Sequence, residues 1–283
     1  MSTTCICILN YNNGQKTINC LASVLKQTVE NYRIIIIDNN SDDGSSLIID
    51  EFAEQHKMQL RYIKTTELPT TLFKTSSEIV FLRASRNGGY SFGNNWGIRA
   101  AQSCGLFTHV LIINNDVVLK PSFLEEMLKQ YQLLANRFDT ELIALGATEM
   151  GGSGGVHHHG FHYIHLLTGI TVFKPCFPSF KYIVGACIFL PIHAPLMDES
   201  FFLYFDDVQY TKILLRNNFL IQNYPDAVFV HDVGGTPKRN TQLLIYKSLL
   251  RFYRLNYPWL LPVVVPVRWL LLAYLWVKGR LVR

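Results

Sequence analysis

The sequence predicts an α/β fold with a mostly parallel central sheet covered by helices on both faces. Short apolar runs alternate with helical patterns over roughly the first 140 residues. The runs are continuously apolar, which is typical of strands buried on both faces of a parallel sheet. A hydrophobic content of 49% with 17% charged residues excludes a disordered chain. At 283 residues the chain can bury one large core and carry an appendage.

The first elements follow one another in strand–helix order. An apolar strand is expected over 5–11, and Gly14 precedes residues that recur at helical spacing. The run "YRIIIID" predicts a second strand over 32–38. A helix near 45–56 and a short strand over 60–64 complete this part of the pattern.

The next elements continue the alternation. We expect a strand over 78–83, then a Gly/Asn loop and a helix that ends near residue 103. The run "HVLIIN" predicts a strand over 109–114. Pro121 suits the first position of a long helix because the missing N–H costs nothing there.

The pattern weakens after about residue 140. We expect a loop-like segment first, then one strand over 181–191 and a helix over 207–219. We expect a main domain over 1–240, divided near residue 120, followed by a helical tail over 241–283.

Polar residues end three of the predicted strands. Ligands of open parallel sheets bind beyond the carboxyl ends of the strands. Asp116, in "HVLIINNDVVL", suits a Mg²⁺ site completed by substrate phosphates, and its alternative role is to cap a turn. A nicotinamide cofactor is disfavoured, since GxGxxG does not follow the first strand. The three clusters are Asn10-Tyr11-Asn12, Asp38-Asn39-Asn40 and Asn114-Asn115-Asp116.

Three further segments carry residues that could perform chemistry. The glycines of "RNGGYSFGNNWG" (86–97) permit close approach to a diphosphate or sugar, although an ordinary loop with a helix cap fits as well. Asp206 and Asp207 follow an aromatic stretch, which favours a raised pKa and a general base, while capping of the next helix is the alternative. His231 lies before a glycine turn with Lys238 and Arg239, and is either a ligand of metal or phosphate or a structural residue.

The histidines and cysteines indicate whether a zinc site or disulfide bonds are expected. A zinc site at the histidine cluster lacks carboxylate or cysteine partners at suitable spacing, so a polar loop over an acceptor site is favoured. The six cysteines form no CxxC pair, and no secretory signal is visible at the N-terminus. These observations predict a reduced, cytoplasmic protein. The histidines are His157, His158, His159, His162 and His165.

Charge is distributed unevenly along the chain. The first 232 residues carry a net charge of −4, whereas the remainder carries +9 without a single acid. This asymmetry predicts an anionic partner. Pro258, Pro262, Pro266 and Arg268 interrupt the apolar tail, so a segment lying in the membrane interface is favoured over a spanning helix. The alternative is a helix packed on the catalytic body or in a dimer interface.

Seven segments, in their order along the chain, resemble the family 2 inverting glycosyltransferases of the GT-A fold. The similarity is closest to the rhamnosyltransferase-like branch and covers roughly residues 3–255. The most specific match is "NGGYSFGNNWG", which resembles "NxGFAxGNNxG". The other six are "NYNN", "DNNSDDGS", "NND", "VGACIFL", "ESFFLYFDDVQY" and "HDVGGT".

This resemblance implies a role for each site residue. Asp207 would be the general base, and Asp116 would hold Mg²⁺ or Mn²⁺ at the donor diphosphate together with His231. Acceptor contacts are expected from Gly185, Ala186, Tyr204 and Asp206. The donor nucleotide sugar would be bound, largely by residues 1–120, through Asn10, Tyr11, Asn12, Asp38, Asn39, Asn87, Gly89, Tyr90, Asn94, Asn114 and Asn115.

The resemblance also implies a function in bacterial polysaccharide biosynthesis. The expected donor is dTDP-rhamnose, with a UDP-hexose open, and the expected acceptor is a hydroxyl of a lipid-linked or growing surface polysaccharide bound by residues 121–240. We expect a peripheral protein on the anionic cytoplasmic face of the cell membrane, without a nucleic-acid partner. Whether the protein forms a homodimer, or is joined to further domains of a longer chain, is left open. The alternative is a catalytically silent scaffold, because Asn114 and Asn115 replace acids of the metal motif.

Overall fold

A ten-stranded sheet forms the centre of the molecule in the computed structural model. The structure describes residues 3–67, 71–75, 78–151, 155–158, 161–231 and 241–281. The strand order is β3-β4-β2-β1-β5-β12-β7-β13-β6, and β8 pairs with β7. These strands are β1 (Thr4–Asn10), β2 (Tyr32–Asp38), β3 (Gln59–Lys64), β4 (Glu78–Arg83), β5 (His109–Asn114), β6 (Val117–Leu119), β7 (Ile143–Gly151), β8 (Val156–His158), β12 (Cys187–Pro191) and β13 (Leu220–His231).

The sheet is parallel in its first half and mixed in its second. Strands β3, β4, β2, β1 and β5 all run in the same direction. Beyond them, β12 runs antiparallel to both β5 and β7, β13 is parallel to β7, and β6 is antiparallel to β13. A separate three-stranded antiparallel sheet contains β9 (Phe161–His165), β10 (Ile170–Val172) and β11 (Ser179–Ile183).

Helices cover both faces of the large sheet. On one face, Leu21, Ile49 and Met127 pack into the same apolar cluster as the β1 and β5 side chains. On the other face, Ile98 and Leu214 belong to a second cluster. Burying one such side chain stabilises the fold by about 1.5–3 kcal/mol. The helices are α1 (Gly14–Val24), α2 (Ser45–Gln55), α3 (Tyr90–Ser103), α4 (Phe123–Phe138) and α5 (Asp206–Arg216).

This architecture confirms the predicted fold class but corrects two local predictions: the segment expected to be loop-like contains the end of β7 and the strands β8 and β9, and one predicted strand is divided. The apolar run over 181–191 is not continuous: β11 ends at Ile183, and β12 begins at Cys187 in the other sheet. The chain turns at Gly185, where a Cβ atom would lie 3.2 Å from the Cβ of Asp207 and 3.2 Å from the hydroxyl of Tyr90. The break therefore brings backbone, rather than a side chain, against the acidic end of α5.

Two helices, α6 (Thr241–Asn256) and α7 (Leu261–Leu281), end the described chain. Leu249, Phe252 and Tyr253 of α6 are fully buried against Phe201 and Phe205. In addition, the Nδ2 of Asn256 donates to the Oε1 of Gln209 on α5 at 2.7 Å. The body therefore buries one face of α6. The domain boundary at residue 240 remains a prediction.

None of the helices in the described ranges combines the length and the apolar character that crossing a membrane requires.

Candidate active site

The carboxyl ends of three parallel strands lie side by side. Asn10 of β1 is opposite Asp38 of β2, and Leu9 is opposite Asn114 of β5. Parallel register therefore brings the predicted polar clusters to one edge of the sheet, where such sheets bind ligands.

Asn10 is the centre of a buried hydrogen-bond network at this edge. Its Nδ2 donates to the Oδ1 of Asp38 at 2.9 Å and to the Oγ of Ser41 at 3.1 Å. Its Oδ1 accepts from the Oγ1 of Thr17 at 2.7 Å and from the Nδ2 of Asn115 at 3.2 Å. A buried polar group without a hydrogen-bond partner destabilises the fold. This network therefore holds the strand ends in place, and its polar groups are used within the protein rather than free to bind a ligand.

Asn39 connects the second strand end to the glycine loop. Its Nδ2 donates to the Oδ1 of Asn87 at 2.9 Å and to the carbonyl of Gly89 at 3.0 Å. Gly89 has φ +89°, and a Cβ there would lie 2.1 Å from the carbonyl oxygen of Phe202. Only glycine permits this approach, which lets the N–H of Tyr90 donate to the same Phe202 carbonyl at 2.8 Å.

A cavity of about 400 Å³ opens above these residues. Its volume lies within the range of small-molecule sites. The N-termini of α1 and α3 border it through Asn13, Gly89 and Tyr90, and such termini favour anions. The lining residues are Leu9, Tyr11, Asn13, Asn39, Asn87, Gly89, Tyr90, Asn114, Asn115, Asp116, Phe202, Leu203 and Leu244.

Asp116 is hydrogen-bonded to His231 at the wall of this cavity. The Nε2 of His231 lies 3.1 Å from the Oδ1 of Asp116, and its Nδ1 lies 3.1 Å from the Oε1 of Glu149. Burial alone lowers the pKa of His231, but the hydrogen bonds and charges of Asp116 and Glu149 outweigh it and raise the pKa to about 9. The Nζ of Lys16 lies 4.0 Å from the Oδ2 of Asp116.

The donor atoms at Asp116 fit an oxygen-rich divalent ion whose coordination a substrate completes. Glu149 orients His231 as carboxylates orient histidine ligands in metal sites, leaving Nε2 on the side of Asp116. In the part of the chain described, no cluster of three or more His, Cys, Asp or Glu side chains is placed to hold a metal. An ion here would therefore need phosphate or water oxygens as further ligands.

Asp206 and Asp207 begin α5 after a strained turn. Tyr204 has φ +67° and Phe205 φ +59°, so two consecutive side-chain-bearing residues adopt the left-handed region. Such strain costs on the order of 1–3 kcal/mol per residue and often marks functional sites. Phe201 and Phe205 are buried in the apolar cluster that α6 completes, and Tyr204 packs against it, which holds the turn in place.

Asp207 faces the break between β11 and β12. Its Oδ2 accepts from the N–H of Gly185 at 3.2 Å, and the hydroxyl of Tyr90 donates to the carbonyl of Gly185 at 2.5 Å. Burial raises the pKa of Asp207, although backbone hydrogen bonds from Gly185 and Val208 oppose the shift. Burial, followed by the charge of Asp207, raises the pKa of Asp206. Desolvated carboxylates of this kind are suited to proton transfer.

The structure places most predicted donor residues around the cavity, and several others behind it. Tyr11, Asn39, Asn87, Gly89, Tyr90, Asn114, Asn115 and Asp116 line the cavity. Asn10, Asn12, Asp38 and Asn94 are instead hydrogen-bonded within the protein. The carboxylate of Asp38 accepts from Asn10 and Ser41, Asn12 pairs with Asp42, and the Nδ2 of Asn94 donates to the carbonyl of Tyr90.

The predicted acceptor residues lie near Asp207. Gly185 hydrogen-bonds to Asp207, and the carbonyl of Ala186 accepts from the N–H of Asn114 at 3.0 Å. Tyr204 and Asp206 belong to the strained turn and the first turn of α5. None of these four lines the 400 Å³ cavity. Their role in binding an acceptor stays a prediction.

Sequence reasoning did not identify Glu149, Phe202 or Leu244. Glu149 is a single acid within the apolar strand "IALGATEMG", and a buried carboxylate in such a strand is a signal that could have been used. Phe202 and Leu244 line the cavity through tertiary packing that no local pattern indicates. Lys238, Arg239 and His159 lie outside the described residues.

The histidine cluster spreads over two strands. Residues 157 and 158 belong to β8, which pairs with β7. His162 and His165 belong to β9 of the small sheet, where His162 lies 3.4 Å, through its Nδ1, from the hydroxyl of Tyr182 and His165 contacts Thr168. The expected polar loop is therefore partly strand, and whether this segment covers an acceptor stays a prediction.

Sequence comparison gives a partial family match. Residues 5–136 match the family model "Glycosyl transferase family 2". The chain is also 26% identical over 122 residues to the glycosyltransferase GlyG of Streptococcus pneumoniae serotype 4 (strain ATCC BAA-334 / TIGR4). This alignment covers 43% of the chain and 33% of GlyG, so the chain matches about a third of that relative's length.

Comparison of folds extends the similarity over nearly the whole chain. GalNAc-T7 with UDP, GalNAc and Mn²⁺ aligns with a TM-score of 0.64 at 14% identity, over 89% of this chain and 48% of that one. The mannosyltransferase PcManGT of Pyrobaculum calidifontis, in complex with GDP-Man and Mn²⁺, aligns with a TM-score of 0.54 at 12% identity. This alignment covers 93% of this chain and 73% of that one. TarS of S. aureus aligns with a TM-score of 0.54 at 14% identity, over 90% of this chain and 40% of that one. The chain therefore has the GT-A fold, and residues 5–136 carry the match to "Glycosyl transferase family 2".

Proposed function

We propose that the protein is an inverting glycosyltransferase that uses a nucleotide-sugar donor. One observation carries this proposal: a single cavity joins Asp116 to Tyr90, and Tyr90 is linked through Gly185 to the carboxylate of Asp207. A group for binding a diphosphate thus lines the cavity, and the candidate base lies behind Tyr90, connected to it through Gly185. The family match of residues 5–136 and the GT-A fold support the same activity.

The donor diphosphate would occupy the end of the cavity bordered by Asp116, Asn114 and the N-termini of α1 and α3. The amide groups of Asn39 and Asn87 and the ring of Tyr11 line the remaining wall. This combination suits a nucleoside: Asn39 holds Asn87 in place through its own hydrogen bond, Asn87 offers a polar group to a base or ribose, and the ring of Tyr11 can cover it.

Transfer requires a proton acceptor at the attacking hydroxyl. The acceptor oxygen attacks the anomeric carbon, the bond from that carbon to the diphosphate oxygen breaks, and the nucleoside diphosphate leaves with the bonding electrons. Asp207 takes the hydroxyl proton as the new bond forms. Burial favours this role because the raised pKa of Asp207 makes its carboxylate a stronger base than an ordinary aspartate.

A divalent cation, Mg²⁺ or Mn²⁺, would be held by Asp116, with His231 next to it and Glu149 behind His231. When bound, such an ion acts as a Lewis acid that offsets the negative charge gained by the leaving diphosphate. The residues themselves position the diphosphate, and correct positioning of both reactants can contribute about 7–11 kcal/mol.

The finer assignments are also proposals. The similarity of "NGGYSFGNNWG" to the rhamnosyltransferase-like branch supports dTDP-rhamnose, with UDP-hexoses as the alternative. Exposed Trp259, Trp269 and Leu270 on the basic C-terminal segment support peripheral binding to an anionic membrane surface, where a lipid-linked acceptor would be presented.

A catalytically silent scaffold is the second candidate, motivated by Asn114 and Asn115. The inward hydrogen bonds of Asn115 to Asn10 and Thr17 weaken this alternative, because they give the amide a structural reason to replace an acid. A scaffold would also have no need of a desolvated acid at Asp207.

A donor screen tests the proposed function. The purified protein would be incubated with dTDP-rhamnose, UDP-glucose, UDP-galactose, UDP-GlcNAc and GDP-mannose, each with Mn²⁺ or with EDTA. Thermal shift and slow release of nucleoside diphosphate would be measured. We expect metal-dependent stabilisation and release with one donor class. Stabilisation without release from any donor, in the presence of acceptor extracts, would favour the scaffold.

A further inference from the structure

A second cavity, of about 510 Å³, lies beside the first. The two cavities share Phe202 and Leu244, so a molecule in the second cavity can extend towards the first. The second cavity is formed mainly by the outer face of α6. Its lining residues are Ser200, Phe202, Leu244, Lys247, Ser248, Leu250, Arg251, Arg254 and Leu255.

Three cations on one helical face line this second cavity. Lys247, Arg251 and Arg254 are spaced by four and three residues, which aligns them along one side of α6. Among the ion pairs within the described ranges, none uses any of the three. Unpaired cations around a concave surface attract an anion.

Arg251 is held in a defined position among these cations. Its Nε donates to the Oγ of Ser200 at 2.5 Å, and its guanidinium lies 5.8 Å from the centre of the Phe201 ring. Its remaining N–H groups are available for a ligand, and a guanidinium binds a phosphate in a bidentate manner. Lys247 and Arg254 flank this fixed position.

Apart from Ser200 and Ser248, the rest of the second cavity is lined by apolar side chains. Leu244, Leu250, Leu255 and Phe202 contribute hydrocarbon surface next to the cations. Exposed Leu255 and Phe202 continue this surface outwards. A ligand that fits both parts carries a phosphate and an aliphatic chain. A free sugar would leave the cations and the apolar wall unmatched, and inorganic phosphate would leave the apolar wall uncovered.

We propose that this second cavity binds the phosphate of a lipid-phosphate acceptor through Lys247, Arg251 and Arg254, with the lipid chain against Leu250 and Leu255. The acceptor's sugar would then extend past Phe202 and Leu244 towards Asp207 and the donor. This assignment rests on the proposed glycosyltransferase function, since only that function gives a reason for an acceptor beside the donor cavity.

The test measures binding of monododecyl phosphate, below its micellar concentration, by isothermal titration calorimetry. The test variant is Lys247→Gln/Arg254→Gln, which leaves the Arg251–Ser200 contact intact. A matched control, Lys26→Gln/Lys129→Gln, removes the same charge from exposed positions, one in the turn after α1 and one on α4. A second variant, Lys247→Arg/Arg254→Lys, keeps both charges. Inorganic phosphate and dodecyl maltoside are the comparison ligands.

We expect the Lys247→Gln/Arg254→Gln variant to lose about tenfold or more in affinity for monododecyl phosphate, because two charge-assisted contacts are removed. The control and the charge-keeping variant retain wild-type affinity. Inorganic phosphate binds at least about tenfold more weakly than monododecyl phosphate, since it covers no apolar wall. Equal affinity of the test variant and the wild type overturns the site, and so does inorganic phosphate binding as tightly as the lipid.

Release of nucleoside diphosphate by the wild type separates this proposal from the proposed function. Charge-dependent binding of monododecyl phosphate without release from any donor refutes the enzyme activity and leaves an anionic-lipid site. Donor release without charge-dependent lipid binding supports the enzyme activity and refutes the lipid-phosphate site.

Discussion

The two ends of the proposed active site differ in how their polar groups are satisfied. At the strand ends, Asn10, Asp38 and Asn39 are buried and bonded to one another and to neighbouring loops. At the start of α5, Asp206 and Asp207 are desolvated acids behind two residues in left-handed conformation. In the first region the polar groups are hydrogen-bonded to one another. In the second region two acids are buried at a cost in free energy, and the backbone before them is strained.

This difference indicates that the two regions have different roles. A saturated network keeps a binding surface rigid, so a donor loses little free energy to reorganisation of the protein. A desolvated carboxylate reduces stability but gains basicity, which is useful only where a proton is transferred. The strand-end region therefore suits donor binding, and the α5 region suits the chemical step.

Asp207→Asn should give the largest effect on activity. The amide cannot accept a proton, so we expect turnover to fall by about 10²–10⁴-fold, the usual contribution of a general base. Donor affinity should remain within about twofold, because Asp207 does not line the donor cavity. Steady-state kinetics and donor titration measure the two quantities separately. Unchanged turnover would remove Asp207 as the base.

Gly89→Ala should give the largest effect on stability. The new methyl group would collide with the backbone of Phe202, and the positive φ adds strain, so we expect a loss of about 2–4 kcal/mol in unfolding free energy. Gly105→Ala is the matched control, because Gly105 has φ +62° but no heavy atom within 4 Å of the new Cβ. Its loss should be about 1 kcal/mol. Urea denaturation distinguishes a close backbone contact from strain alone: equal losses would show that the contact with Phe202 is unimportant.

Asp116→Asn should weaken donor binding in the presence of metal by about 30–100-fold. The substitution removes the only carboxylate among the described residues that line the cavity, while the amide keeps the side chain's size. Titration of the donor with Mn²⁺ and with EDTA measures the effect. We expect wild type and variant to differ with metal and to agree in EDTA. A difference that persists in EDTA would assign Asp116 a role without metal.

More of the fold than of the candidate site could be predicted from the sequence. Strands β1, β2 and β5 are continuous apolar runs, so their parallel packing follows from sequence, and their ends bring Asn10, Asp38 and Asn114 together. The break at Gly185 does not follow from the sequence, because "KYIVGACIFLP" continues without a polar residue after its first lysine. Only the tertiary contact of Gly185 with Asp207 and Tyr90 explains the turn.

The remaining site residues lie too far apart in sequence for local patterns to connect them. Glu149 meets His231 across 82 positions because β7 and β13 are neighbours, and nothing in either segment encodes that pairing. Burial of one face of α6 against Phe205 is likewise a tertiary property. Sequence patterns identified chemically suitable residues, but not the residues that orient or cover them.

Glu149→Gln should produce a smaller loss than Asp116→Asn. Glutamine can still bond to His231 but removes the charge that orients the ring, so we expect metal-dependent donor affinity to fall by about tenfold. Exposed Glu54→Gln is the control for charge removal. Titration of Mn²⁺ in the presence of nucleoside diphosphate measures the effect. Equal affinities for the two variants would exclude Glu149 from the metal site.

Asp206→Asn should have the smallest effect and should stabilise the protein. Burial raises the folded-state pKa of Asp206, so the folded protein retains a proton that the unfolded chain releases, and the stability of the wild type falls as pH rises between the two pKa values. The variant lacks this loss. We expect equal stability near about pH 4 and an advantage of about 1 kcal/mol or more near about pH 8. Thermal denaturation at both pH values tests this, and a variant less stable at about pH 8 would contradict it.

The most direct test of the central claim is a crystal structure of the protein with Mn²⁺ and the nucleoside diphosphate identified by the donor screen. We expect an anomalous manganese peak at coordination distance from Asp116, with the diphosphate in the cavity between Asn114 and the start of α3. Manganese and nucleotide bound away from Asp116 would contradict the assignment of this sheet edge as the donor site.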